Sequence, residues 1–152
     1  MARIATTNIY LAIRERADRS HIEDELVLDG ADVSSFASAR DVWKQFQVRR
    51  ARFVITEQNF GDDFDGFELV RSIRKNYPIP HVHVLMGSVK ARVNDITEGL
   101  RLGVDDYLVL PRNPFQFRSR VLVGMKWITY IDSVNRGFQH QHERCSLAAG
   151  RF

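Results

Sequence analysis

Short apolar runs alternate along the chain with segments whose apolar positions recur every three or four residues. The runs at 9–13, 31–36, 53–56, 82–86 and 107–110 predict buried strands. Ser20, with Glu23 three positions on, has capping-box spacing and predicts a helix through HIEDELVL. That helix turns Ile22, Leu26 and Val27 inward and stops at Gly30. Ser38 caps a second helix, with Val42 and Phe46 on one face, and a third spans 66–76. A fourth, about 91–102, carries Val93, Ile96 and Leu100 at helical spacing and ends at Gly103. Asn113 followed by Pro114 opens a fifth helix, which Gly137 ends.

Strand and helix alternate five times, and the strands lack an exposed polar face. This pattern predicts an α/β protein with a doubly wound parallel sheet covered by helices on both sides. In such sheets function lies beyond the carboxyl ends of the strands. Those ends are Arg14-Glu15, Glu57, Gly87-Ser88 and Leu110-Pro111. The fifth helix has two apolar stripes: Phe117, Val121 and Ile128, then Val123, Trp127, Tyr130 and Val134. One stripe suffices to dock on a sheet, so the second implies another contact, a dimer or an output domain. The last residues, FQHQHERCSLAAGRF, have no core pattern. The expected organisation is a folded domain over 1–135 and a tail or linker over 136–152.

Composition adds bounds. A chain of 152 residues, 44% apolar and 27% charged, fits one domain with a real core. No apolar run approaches the roughly 18 residues that cross a bilayer, and MARIATTNIY lacks signal-peptide features. The expectation is a soluble, cytoplasmic protein with no membrane contact. The single cysteine, Cys145, excludes an internal disulfide framework. A net charge of +3 admits a nucleic-acid partner, but the basic residues are dispersed, which makes one unlikely.

The densest candidate chemistry is FVITEQNFGDDFDGFELV, where a buried strand runs into Glu57, Asp62, Asp63, Asp65 and Glu68. DDFDG lacks the spacing of a calcium loop and is expected to be solvated loop acids. His81 and His83 share one side of a strand without an evident third ligand, and are expected to face solvent. Ser88 lacks the G-x-S-x-G context of a hydrolase nucleophile.

GVDDYLVLP (103–111), DGFELVRSIR (65–74) and the hydroxyl of Ser88 at the end of strand four together resemble the receiver domain of two-component response regulators over residues 8–132. The resemblance implies a flavodoxin-like (βα)5 fold with strand order 2-1-3-4-5. It implies a histidine kinase or an output protein as partner. It also implies a site of five parts. The phosphate-acceptor position, an Asp in the family, is Glu57, or Gln58 if one residue of GDDF is inserted. The two metal-holding acids fall at Arg14 and Glu15. The switch hydroxyl is Ser88 and the switch aromatic is Tyr107. The lysine before the strand-five proline is Leu110.

Phosphoryl transfer relies on positioning and on cations that neutralise moving oxygens. A lost lysine and an arginine in an acid position therefore point to a degenerate receiver, not an enzyme, with no cofactor. An Arg14–Glu57 ion pair would stand in for the metal. Glu57 would be either a strand-end acid or a mimic of a phosphorylated aspartate. The alternative is a phosphorylation-competent receiver that uses Mg²⁺ and a displaced acid. The expected contact surface, suited to a homodimer, is the helix 4–strand 5–helix 5 face. It carries Lys90, Arg92, Asp95, Arg101, Asp105, Asp106, Arg118, Arg120, Trp127 and Tyr130.

Overall fold

A computed structural model describes residues 7–89 and 92–150. Five strands alternate with five helices: β1 (Asn8–Ala12), α1 (Arg16–Leu28), β2 (Asp32–Phe36), α2 (Ala39–Val48), β3 (Phe53–Glu57), α3 (Gly66–Asn76), β4 (His83–Ser88), α4 (Val93–Leu102), β5 (Asp106–Val109) and α5 (Pro114–Ala149). The strands form one parallel sheet in the order β2-β1-β3-β4-β5. This is the flavodoxin-like arrangement expected.

The period-two alternation of side chains explains the two layers. Tyr10, Ala12, Val54, Val84 and Met86 face one side, where Val42 and Phe46 of α2 and Leu69, Val70 and Ile73 of α3 cover them. Ile9, Leu11, Phe53, Ile55 and Leu85 face the other side, under Ile22 and Leu26 of α1 and Phe117, Val121 and Ile128 of α5. Each of the buried Val, Leu, Ile, Phe and Met side chains among them contributes about 1.5–3 kcal/mol. Ser38 accepts from the Asp41 N–H and Asn113 from the Phe115 and Gln116 N–H groups, so both helices begin at the capped positions expected.

Five local expectations are corrected. Helix α1 starts before Ser20: Glu15 is its N-cap, accepting from the Ala17 N–H at 3.5 Å. Arg19 holds this early turn by donating to the carbonyls of Ile13 and Arg14 at the end of β1. Val27 of the same helix is exposed. The apolar stripe of α4 does not face the sheet, with Val93 78% and Leu100 51% exposed; the buried position is Gly99. Gly99 lets the helix close on Tyr107, since a Cβ there would lie 1.6 Å from the phenol oxygen. Helix α5 passes through Gly137 and continues to Ala149, so the expected tail is helical. A single glycine costs about 1 kcal/mol in a helix, too little to end one by itself. His83, expected to face solvent, is 4% exposed, because its side of β4 lies under Gly124 of α5.

Candidate functional site

At the carboxyl edge of the sheet β3 ends on Glu57, in register with Gly87 of β4, and Ser88 ends β4 one residue further. Leu110 follows β5 and lies across Gly87, where an added Cβ would sit 3.2 Å from Leu110 Cδ1. Two clefts of about 510 and 440 Å³ flank the spot and share Glu57, Val89 and Leu110. Asp18, His21 and Arg112 line the first; Arg14, Gln58, Ser88 and Asp95 line the second.

Burial raises the Glu57 carboxyl above the usual carboxylate range, and the nearby Asp18 charge adds to the rise. The Arg14 main-chain N–H, donating to Glu57 Oε2 at 3.1 Å, works the other way. The expected Arg14–Glu57 ion pair is thus replaced by a main-chain hydrogen bond. The Arg14 guanidinium instead lies beside Gly61, where an added Cβ would sit 3.3 Å from Nη1.

Glu15 also takes a different place. It caps α1, and the two positions that directly follow β1 are Ile13 and Arg14. Glu57 therefore has no carboxylate partner from the β1 end. The acid that approaches it is Asp18, in the first turn of α1, which sequence reasoning missed. Its only signal was its place one turn beyond the end of the first strand.

The side chains that line these clefts beside Glu57 include the Asp18 and Asp95 carboxylates, the Ser88 hydroxyl and the Gln58 amide, whose Oε1 is buried without a hydrogen-bond partner. Among the described residues no group of three or more His, Cys, Asp or Glu side chains is placed to hold a metal. Magnesium needs near-octahedral oxygen ligands anchored by carboxylates. Leu110 and Arg14 put an apolar side chain and a cation, not oxygen ligands, in the lining beside Glu57.

Asp65 N-caps α3 through the Glu68 N–H at 2.9 Å. Asp62 is not simply solvated: it accepts from Arg40 through both oxygens, at 3.2 and 3.3 Å. Tyr107 is half-buried under α4, and its hydroxyl donates to the Asp95 carbonyl at 3.4 Å. Burial, with the Asp95 and Glu98 charges, pushes this phenol up to about 12.

The expected contact face is partly used within the chain. Asp105 accepts from Arg74 at 2.8 Å, from His81 at 2.9 Å and from the Val84 N–H at 2.8 Å. Burial alone would raise its carboxyl; those hydrogen bonds and the Arg74 charge hold it below the usual range. Arg120 pairs with Asp106 at 2.8 Å and Arg118 with Asp29 at 2.9 Å. Arg92 precedes α4 as its N-cap, and Asp95 and Arg101 lie in its first and last turns. Trp127 and Tyr130 are exposed, 52% and 61%, and meet edge-to-face. Lys90 lies outside the described residues.

The sequence profile of the response regulator receiver domain matches residues 15–122. A "Probable transcriptional regulator ycf27" of Porphyridium aerugineum is 28% identical over 121 residues, covering 80% of this chain and 49% of that protein. The "Regulatory protein VanRc" of Enterococcus gallinarum is 44% identical over 64 residues, 42% of this chain and 26% of its own length. The chain thus spans half or less of the curated relatives it matches. Among solved structures, the chemotaxis response regulator CheY4 of Vibrio cholerae superposes with a TM-score of 0.72 at 21% identity, over 78% of this chain and 98% of that one.

Proposed function

The chain belongs to the response regulator receiver domain family, and from that premise we propose that it is an atypical member that signals by protein contact without the usual phosphorylation. One observation carries this proposal. The end of β3 presents Glu57, held by the Arg14 main-chain N–H in a cleft lined by the apolar Leu110 and by Arg14. Aspartyl-phosphate chemistry needs a dication and a second cation around the transferred group. Here the positions beyond β1 are Ile13 and Arg14, and Leu110 occupies the position of the family's lysine.

Glu57 also reaches one methylene further than Asp, moving its carboxylate by about 1.5 Å. A misplacement near 1 Å can cost about a hundredfold in rate. In this view Glu57 is a structural acid, Ser88 and Tyr107 keep the switch positions, and the output is a surface.

That surface is α4, β5 and α5, with a second copy, a histidine kinase or an output protein as the partner class. The exposed α4 stripe and the Trp127–Tyr130 pair favour it. We place the protein in the cytoplasm. The family is one of signalling modules, and no helix among the described residues is long and apolar enough to cross a membrane.

The test is incubation with acetyl phosphate and Mg²⁺, followed by intact mass and by reaction with hydroxylamine, which cleaves acyl phosphates. Unchanged mass is expected. A hydroxylamine-labile phosphate adduct would establish the competing reading, a phosphorylation-competent receiver using a displaced acid.

A further inference from the structure

Helix α5 outruns its support. Its buried positions, Phe117, Val121, Gly124 and Ile128, end where Asp132 is clamped by Arg52 through two hydrogen bonds of 2.8 and 3.1 Å. From residue 133 to 150 every side chain is exposed. The helical part of that segment, 133–149, is about 25 Å long at 1.5 Å per residue. Most helical stability in proteins comes from the packing of one face, with propensity contributing less. This segment contains Val134, Asn135 and Gly137, all weaker helix formers. Packing one of its faces against something outside the domain would stabilise this extension.

The pattern says what. Trp127, Ile131, Val134, Phe138, Gln141, Cys145 and Ala148 follow one another at spacings of four and three. That is the seam of a two-stranded coiled coil, apolar every 3.5 residues. Asp132, Arg136, His140 and Glu143 all fall on the outer positions, and of the flanking positions from 132 to the helix end at Ala149 only Arg144 carries a fixed charge. The flanks therefore select neither an acidic nor a basic partner and set no like charges in rows across the seam.

Gln141 narrows the choice further. Against a different apolar helix its amide would be buried without partners, at a cost of roughly 1–3 kcal/mol. Against the same residue of an identical helix in register, the two amides satisfy each other and fix the alignment. We propose that the C-terminal half of α5 pairs with the same segment of a second copy as a parallel, in-register coiled coil. This deepens the protein-contact part of the proposed function and rests on it. It is independent of whether Glu57 can be phosphorylated.

The chain supplies its own probe. Cys145 is the sole cysteine and lies in the seam, exposed in the single chain. A parallel register sets the two Cys145 side chains face to face, within the Cα separation of about 4.4–6.8 Å that a disulfide spans. The experiment uses the 152-residue chain in sedimentation equilibrium under reducing conditions, then diamide oxidation and a non-reducing gel. The expected results are a dimer and prompt Cys145–Cys145 cross-linking. Val134→Glu with Phe138→Glu should weaken the dimer by about 100-fold and abolish cross-linking. Both sites are exposed, so the urea midpoint of the monomeric variant reports that the domain is still folded. A dimer that does not cross-link, or that survives the double substitution, overturns the coiled coil while leaving the α4–β5–α5 surface standing. A monomer at every concentration overturns both forms of self-association.

Discussion

Gly99→Ala puts two sizeable effects in opposition at the switch aromatic. Alanine in place of glycine inside a helix is worth about 1 kcal/mol of propensity, so on α4 alone the change stabilises. The new Cβ, however, would lie 1.6 Å from Tyr107 Oη, 2.6 Å from its Cζ and 3.1 Å from Phe67 Cε1. Those distances cannot persist, and Tyr107, half-buried at the edge of the sheet, is the group free to move. Swinging it out forfeits about half of the 1.5–3 kcal/mol that a fully buried large side chain contributes. It also breaks the long hydrogen bond to the Asp95 carbonyl, worth about 0.5 kcal/mol at 3.4 Å. The balance is a small net loss, below about 1 kcal/mol, read from urea unfolding.

Spectrophotometric titration gives the sharper readout. The Tyr107 phenol, pushed up to about 12 by burial and by Asp95 and Glu98, should fall toward the ordinary value near 10. In a Tyr107→Ala background the same Gly99→Ala change should become stabilising, as the double-mutant cycle requires of two side chains competing for one space. Stability that rises by about 1 kcal/mol in the otherwise unchanged protein, with the high-pH phenol still present, would refute the close packing of α4 on Tyr107.

Three other outcomes follow from the same physics. His83 is held neutral by burial, with its pKa below the ordinary 6.5 despite Asp105 3.9 Å away, so the unfolded chain binds its proton more readily. Stability should be complete above pH 6.5 and decline as pH falls below it, and His83→Leu should flatten that slope in urea midpoints measured from pH 8 to 5. Glu57 has the opposite sign: its raised pKa contributes stability at low pH that is lost as pH rises through the folded value. Glu57→Gln should therefore raise the melting temperature at pH 7, and a clear fall would contradict the site described. Phe46 is fully buried among Tyr10, Trp43 and Tyr77, and Phe46→Ala should cost about 3–5 kcal/mol in denaturant titrations.

The central strands β1, β3 and β4 were legible because they are near-continuous apolar runs, and two faces of burial leave little else for such runs to be. Ser38 and Asn113 were legible because a cap is a local contact. Where a local signal met a tertiary one, the sequence misled. The Ser20–Glu23 pair has capping-box spacing, but Arg19 ties an earlier turn to the end of β1. The α4 stripe has helical spacing, but the sheet receives Gly99, and periodicity scores only the residues that have side chains to bury.

The site was legible in which residues reach the carboxyl edge, and not in their contacts. Glu15 was one residue too late to face Glu57 and became a cap. Asp18 came from the helix, and the Arg14–Glu57 contact passed to the main chain. Asp105, grouped with surface charges, is tied to Arg74, His81 and the Val84 N–H, pairings that join distant parts of the chain.

The most direct measurement is calorimetric titration of the purified chain with Mg²⁺, alone and with beryllofluoride, which mimics a phosphoryl group on a receiver carboxylate. With one carboxylate at the end of β3, and arginine and leucine where an acid and a lysine would stand, no saturable heat is expected in either arm. Stoichiometric Mg²⁺ binding that beryllofluoride tightens, and that Glu57→Gln removes, would show that this edge still assembles a working phosphorylation site.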